Sequence, residues 1–156
     1  MLPAAKREEG KKQFLAPSKV KQRLYHGTGK DITEFDATNG VYFTNDKRAS
    51  NIYAGEGEGA NVVPVHLNIK NPYIAKDYGD IGIFTKEKIE RLKKEGFDGA
   101  IFTQPQADGT EYTEYVAFEP TQIKSAIGNR GTYDVSEPDI NKAKGGSVNM
   151  AEGGLV

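Results

Sequence analysis

The feature that most constrains the fold is a turn signal between two short segments suited to strands. Asp108 and Gly109 lie between "GAIF" at 99–102 and "EYTEYVAFE" at 111–119. An Asp-Gly pair is typical of the tight turns that join antiparallel strands. A hairpin at this place does not fit a chain built only from repeating parallel β-α-β units. The sequence therefore predicts an α+β fold.

Residues 61–72, "NVVPVHLNIKNP", alternate in polarity as a half-buried strand does. His66 and Asn68 fall on the polar face, where we expect solvent to be their partner. The apolar face is predicted to contain Val63, Val65, Leu67 and Ile69.

A helix is predicted in "FTKEKIERLKKEGFDG", at 84–99. Thr85 suits its N-cap, because a threonine hydroxyl can accept from a free backbone N–H of the first turn. Ile89 and Leu92 share a face, and Gly96 suits its C-terminal end. A second, shorter helix is predicted in "NDKRASNIYAG", with Asn45 or Asp46 as its cap and Gly55 as its end.

Three further short strands complete the expected order of elements. They are "RLYHGT" at 23–28, "GVYFT" at 40–44 and, after Pro120, "QIKSAI" at 122–127. We expect one domain at 21–140, within a chain of 156 residues. The Lys- and Arg-rich residues 1–20 are interpreted as a basic leader, more often a solvated tail or linker than a phosphate contact, with Phe14 and Leu15 as candidates to dock on the domain. The Gly-rich residues 141–156 are interpreted as a flexible tail.

Composition argues against several classes of protein. The chain has no cysteine, which excludes disulfides and thiolate metal sites and fits a reducing cytoplasm. A formal net charge of -1 gives no general attraction to nucleic acid. No apolar run is long enough to span a bilayer, so we expect no membrane partner. With two histidines and no HExxH pattern, we expect no metal. "GEGEG" at 55–59 follows a helix and lacks a P-loop lysine, so a flexible loop is the better interpretation.

Three groups of residues are suited to chemistry, although each also has a structural explanation. The first is His26 with Gly27 and Thr28, where a histidine beside glycine is usually a satisfied polar residue. The second is Tyr42, Ser50 and Tyr53, where paired tyrosines usually pack in a core. The third is Glu111 and Glu114, where hairpin glutamates are usually solvated.

Taken in order, "YHGT", "GVYFTNDKRASNIYA" and "TEYVAFEPTQIKS" resemble the three signature segments of the ADP-ribosyltransferase superfamily. The resemblance is to its His-Tyr-Glu branch, which includes diphtheria-type toxins and the poly(ADP-ribose) polymerases. The matching positions are His26, Tyr42, Ser50, Tyr53 and Glu114. The closing segment, "EYVAFEPTQIKSAIGNRGTYDVSEPDI", is similar to phage-associated ADP-ribosyltransferase domains of large polyvalent proteins. The matching stretches cover roughly residues 23–140.

The resemblance implies an NAD+ cleft between two small, split antiparallel sheets with short helices around it. It implies that Gly27 and Ser50 hold the nicotinamide carboxamide, with Thr28 beside them, and that Tyr42 and Tyr53 sandwich the nicotinamide ring. It also implies that His26 hydrogen-bonds the adenosine ribose. NAD+ would be a co-substrate, and no metal is implied.

Glu114 is the carboxylate that the resemblance assigns to catalysis. It directly precedes Tyr115 in the family-like "EYVAF". Glu111 departs from the Glu-x-Glu pair of the Arg-Ser-Glu branch, because two residues separate it from Glu114. It remains either a possible accessory on the acceptor side of the cleft or a solvated hairpin residue.

The implied function is transfer of a single ADP-ribose from NAD+ to a macromolecule, a host protein or nucleic acid, with release of nicotinamide. The protein would act as a phage-associated effector in the host cytoplasm, as part of a larger phage protein. Two alternatives stay open at the level of sequence: an NAD+ glycohydrolase that uses the same pocket, and a non-catalytic phage module that keeps the fold.

Overall fold

A computed structural model describes residues 2–29, 32–48, 61–76, 84–105 and 108–141. Two helices and seven strands are defined within these ranges. The helices are α1 (Ala4–Leu15) and α2 (Lys86–Lys94). The strands are β1 (Leu24–Thr28), β2 (Val41–Thr44), β3 (Asn61–Leu67), β4 (Pro72–Ile74), β5 (Gly99–Pro105), β6 (Glu111–Ala117) and β7 (Ile123–Ser125).

The strands form one mixed sheet in the order β4-β5-β6-β2-β1-β3-β7. All neighbours are antiparallel except β4 and β5, which are parallel. The predicted α+β class is confirmed, and so is the hairpin of β5 and β6. Gly109, in the turn between them, adopts φ +88°, a conformation that glycine accepts without strain.

Among the described residues, the strands β4-β5-β6-β2 and the strands β1-β3-β7 are joined only through the pairing of β2 with β1. β1 and β2 share a single register pair, Tyr25 opposite Thr44, whereas β2 and β6 share four. Two split sheets were expected, whereas the structure has a single sheet. Its two parts, β4-β5-β6-β2 and β1-β3-β7, are connected by only a short β1–β2 pairing. The expected purely antiparallel pairing is also modified by the parallel edge pair β4–β5.

The core lies in two layers, one on each face of β2 and β6, because side chains alternate along a strand. The first layer includes Leu24, Phe43 and Val65. The second layer includes Phe102 and Val116, and it is covered by α2 through Ile89, Leu92 and the preceding Phe84.

The structure confirms the prediction for α2. The Thr85 hydroxyl accepts a hydrogen bond from the backbone N–H of Lys88 at 3.2 Å. Ile89 and Leu92 are buried, and Gly96 follows the helix with φ +97°. The helix predicted over 45–55 lies mostly outside the described residues, although the Asp46 carboxylate accepts from the N–H of Arg48 at 2.8 Å.

Residues Ala4–Leu15 form α1 and not a solvated tail, and the expected docking of Phe14 is confirmed. Phe14 is 2% exposed and packs against Tyr133, with ring centroids 5.7 Å apart. The side-chain amide of Asn68 donates to the Phe14 carbonyl at 2.9 Å. The helix therefore covers the back of β3. The domain boundary at residue 21 stays a prediction, and the expected tail lies outside the described residues beyond Asn141.

The apolar face of β3 is confirmed, but the expectation for its other face is wrong. His66 and Asn68 are 8% and 5% exposed, because α1 and the loop that contains Tyr133 cover that face. No helix in the described ranges is long and apolar enough to cross a membrane.

Candidate active site

His26 lies where β1 and β2 separate. Its Nδ1 is 2.7 Å from the Tyr42 carbonyl oxygen, which can only accept, so Nδ1 carries the proton. The imidazole thus donates to a backbone carbonyl that would otherwise accept a hydrogen bond from a neighbouring strand. A neutral ring with a proton on Nδ1 leaves Nε2 as an acceptor.

Aromatic side chains hold the His26 ring in this position. Phe35 meets it edge to face, with centroids 4.9 Å apart, and Phe43 lies at 5.4 Å. Burial lowers the pKa of His26, and the hydrogen bond to Tyr42 opposes this in part. At neutral pH the ring is therefore uncharged.

A cavity of about 560 Å³ lies beside His26. Thr28 and Tyr42 line it as well, together with the loop at 32–36. Three of the residues that the sequence singled out therefore border one space. Gly27, between His26 and Thr28 on β1, pairs with Val62 of β3.

Glu114 lies on the same face of the sheet as Tyr42. In the antiparallel register of β2 and β6, Thr44 opposes Glu114 and Tyr42 opposes Val116. Glu114 and Tyr42 are therefore diagonal neighbours, a relation that puts the two backbones about 7–8 Å apart. His26 belongs to the opposite face, that of Phe43, and Glu114 is not among the residues that line the cavity beside His26.

Glu114 is buried, and its carboxylate has one hydrogen-bond partner among the described residues. The side chain is 4% exposed, and its carboxylate accepts from the side-chain amide of Gln104 at 3.1 Å. Burial raises the pKa of Glu114, and the hydrogen bond from Gln104 partly offsets the rise. A carboxylate placed in this way interacts strongly with a nearby positive charge, because little water screens it.

Tyr42 is fixed at its hydroxyl end. Its oxygen accepts from the backbone N–H of Phe84 at 3.3 Å, and its ring meets the Phe84 ring edge to face at 6.0 Å. The residue just before α2 thus sets the orientation of this tyrosine.

The other predicted residues divide into two groups. Ser50 and Tyr53 lie outside the described residues. Glu111 is exposed at the start of β6, opposite Pro105. It is three positions from Glu114 and so points to the other face of the strand. No group of three or more potential metal ligands occurs among the described residues.

Gln104 is the site residue that the sequence analysis missed. The signal was present, because pairing the strands outward from the Asp108-Gly109 turn puts residue 104 opposite Tyr112 and diagonal to Glu114. A long polar side chain at such a position can reach a buried carboxylate.

Comparison with known proteins gives the family. The family model described as ADP-ribosyltransferase in polyvalent proteins matches residues 21–84 and 76–133, which together span most of the chain. No curated protein and no solved structure matches this chain. Because this model matches more than half of the chain, the chain belongs to the ADP-ribosyltransferases of polyvalent proteins.

Proposed function

We propose that this domain is of the His-Tyr-Glu type and transfers ADP-ribose from NAD+ to a macromolecule, with release of nicotinamide. The observation that carries the proposal is the position of Glu114: buried, hydrogen-bonded and diagonal to Tyr42 on one face of the sheet. Family membership supplies the reaction class, and this geometry supports the assignment of the carboxylate.

The chemistry that Glu114 would assist is cleavage of the bond between the nicotinamide nitrogen and C1′ of the ribose. The bonding electron pair leaves with nicotinamide, and positive charge develops on the sugar, as in a glycosidase transition state. An acceptor nucleophile forms the new bond to C1′ and gives up its proton. Glu114 would bind the ribose 2′-hydroxyl and stabilise the developing charge.

Binding of NAD+ would use the groups around the β1–β2 pairing. We assign the Nε2 of His26 to a hydroxyl of the adenosine ribose, because Nδ1 is already bonded to the Tyr42 carbonyl and His26 lines the cavity. Tyr42 would stack on the nicotinamide, with Tyr53 as its partner, and Gly27 and Ser50 would hold the carboxamide with Thr28 adjacent. Offset stacking contributes about 0.5–1.5 kcal/mol beyond the area that it buries.

The biological setting is part of the same proposal. The resemblance to phage-associated domains supports an effector that acts in the host cytoplasm and attaches one ADP-ribose to a host protein or nucleic acid. Water as the acceptor would make the domain an NAD+ glycohydrolase.

The test is incubation of adenine-labelled NAD+ with host lysate and either the wild type or Glu114→Gln. We expect Glu114→Gln to lower transfer by about 10²–10³-fold, since it removes a group that acts on developing charge, and to keep most NAD+ binding. Glu87→Gln, an exposed carboxylate in the first turn of α2, is the matched control and should transfer normally. Treatment with protease or nuclease then identifies the class of acceptor.

Each other outcome has a definite meaning. Nicotinamide release without labelled macromolecule would assign hydrolysis. No nicotinamide release by the wild type would contradict the enzymatic proposal and favour a non-catalytic module. Loss of transfer by Glu111→Gln as well would make Glu111 an accessory on the acceptor side.

A further inference from the structure

Gln104 holds the buried carboxylate from the neighbouring strand. Its side-chain nitrogen donates to Glu114 Oε2 at 3.1 Å, and it is the one hydrogen-bond donor to this carboxylate among the residues that the structure describes. The contact follows from the register, because Gln104 opposes Tyr112, two positions before Glu114 on the same face of β6. Nothing in the family resemblance assigns a role to this position.

The residue type matters as much as the position. A glutamine amide is neutral, so it donates to a carboxylate without forming an ion pair that would cancel the negative charge. A hydrogen bond to the ionised form of an acid favours that form, whereas burial disfavours it. At Glu114 these two effects oppose each other, with burial the larger and Gln104 the counteracting contact.

We infer that Gln104 is a positioning residue: it keeps Glu114 ionised and fixes one carboxylate oxygen, which leaves Oε1 for the ribose hydroxyl of the substrate. The inference rests on the proposed function for its consequence in catalysis, but the contact itself acts on Glu114 with or without NAD+. A protonated Glu114 would carry no negative charge with which to stabilise the sugar cation. Gln104 would therefore extend the reaction to lower pH than burial alone would allow.

The first test measures the Glu114 carboxyl directly, without NAD+, by NMR titration of protein labelled at the glutamate side-chain carboxyl carbon. The Glu114 signal is identified by its loss in Glu114→Gln. Gln104→Met keeps the length of the side chain and removes the donor, and we expect it to raise the pKa of Glu114 by about one unit. Thr103→Val is the matched control, since Thr103 is adjacent on β5 but on the other face, and it should leave this pKa unchanged.

Gln104→Glu provides a second variant of nearly the same shape. Two carboxyl groups would then share one site and disfavour double ionisation, so the pair should show a step at higher pH than in Gln104→Met. Thermal unfolding of both variants separates a local effect from loss of the fold. If Gln104→Met does not fold, two carboxyl groups that titrate independently in Gln104→Glu overturn the inference, because the two side chains then do not meet.

The second test is the pH profile of nicotinamide release. We expect the acid limb of the kcat profile in Gln104→Met to move to higher pH by the same amount as the pKa. The plateau of kcat above that limb should also fall, because one carboxylate oxygen is no longer fixed, with KM for NAD+ little changed. An unchanged Glu114 pKa in Gln104→Met overturns the inference. If the wild type releases no nicotinamide, the proposed function fails, while the titration still decides the role of Gln104.

Discussion

At the scale of single residues, His66 is the side chain whose environment differs most from expectation. It is 8% exposed, and its Nδ1 has no hydrogen-bond partner among the residues that the structure describes. Its pKa is lowered from 6.5 to about 4, chiefly by burial and to a smaller extent by the nearby cations Lys11 and Arg23, against an opposite effect of Glu8. The structure thus buries a neutral histidine that would be charged in the unfolded chain below neutral pH.

This environment predicts a loss of stability in acid. The unfolded chain binds a proton at His66 more readily than the folded chain, so this contribution to stability is complete above about pH 6.5 and is lost as the pH falls toward about 4. In urea denaturation at pH 7 and pH 5, His66→Leu should show a smaller difference in the free energy of unfolding than the wild type.

The chain offers its own internal comparison for that measurement. His26, the only other histidine, also has a lowered pKa and stays in the variant, so some of the pH dependence should remain. Glu114 acts in the opposite direction, because its raised pKa removes stability as the pH rises above 4.5. Equal pH dependence in His66→Leu and the wild type would show that His66 does not contribute.

At the scale of elements, α2 connects helix formation to the candidate site. Its N-cap, Thr85, directly follows Phe84, whose backbone N–H binds the Tyr42 hydroxyl. The same residue, Phe84, is buried in the second core layer with Ile89 and Leu92. An intact first turn of α2 therefore helps to orient an aromatic ring of the proposed NAD+ site.

Removal of the cap tests this connection. Thr85→Ala should lower the free energy of unfolding by about 1 kcal/mol, because one N–H of the first turn loses its acceptor. Thr85→Ser keeps the hydroxyl and is the matched control in urea denaturation. If the two variants are equally stable, the hydrogen bond to Lys88 does not support the helix.

At the scale of the whole molecule, the first and last described segments pack against each other. The N–H of Leu2 donates to the Arg130 carbonyl at 3.1 Å, and Phe14 packs on Tyr133. Between these contacts, Gly10 of α1 meets the backbone of Thr132 so closely that an added Cβ would lie 2.4 Å from its carbonyl oxygen. The back layer over His66 thus depends on contacts between residues more than a hundred positions apart.

Substitution of Gly10 tests the packing of α1 against the segment that contains Thr132. Alanine favours a helix over glycine by about 1 kcal/mol, but here it would collide with backbone, so Gly10→Ala should lower the free energy of unfolding by about 1–3 kcal/mol. Gly29→Ala is the matched control, because an added Cβ there meets nothing within 4 Å. A stabilising effect of Gly10→Ala in urea denaturation would contradict the observed packing of α1.

Prediction from sequence succeeded where the cause is local. The Asp-Gly turn specified the β5–β6 hairpin, and the cap, apolar face and terminal glycine of α2 lie within one short segment. Alternation correctly separated the two faces of β3 as well. The order of the His26, Tyr42 and Glu114 segments was enough to identify the family that the comparison then showed.

Only the tertiary structure decided which surfaces are covered and which side chains meet. Alternation says that His66 and Val65 point in opposite directions, but burial of His66 depends on α1, which comes from a distant part of the chain. The single β1–β2 pair and the Gln104–Glu114 contact likewise depend on how separate strands register. The sequence by itself determined α2, the β5–β6 hairpin and the candidate residues, because propensity and periodicity act between near neighbours. Burial and hydrogen-bond partners are set by segments that meet only in the folded chain.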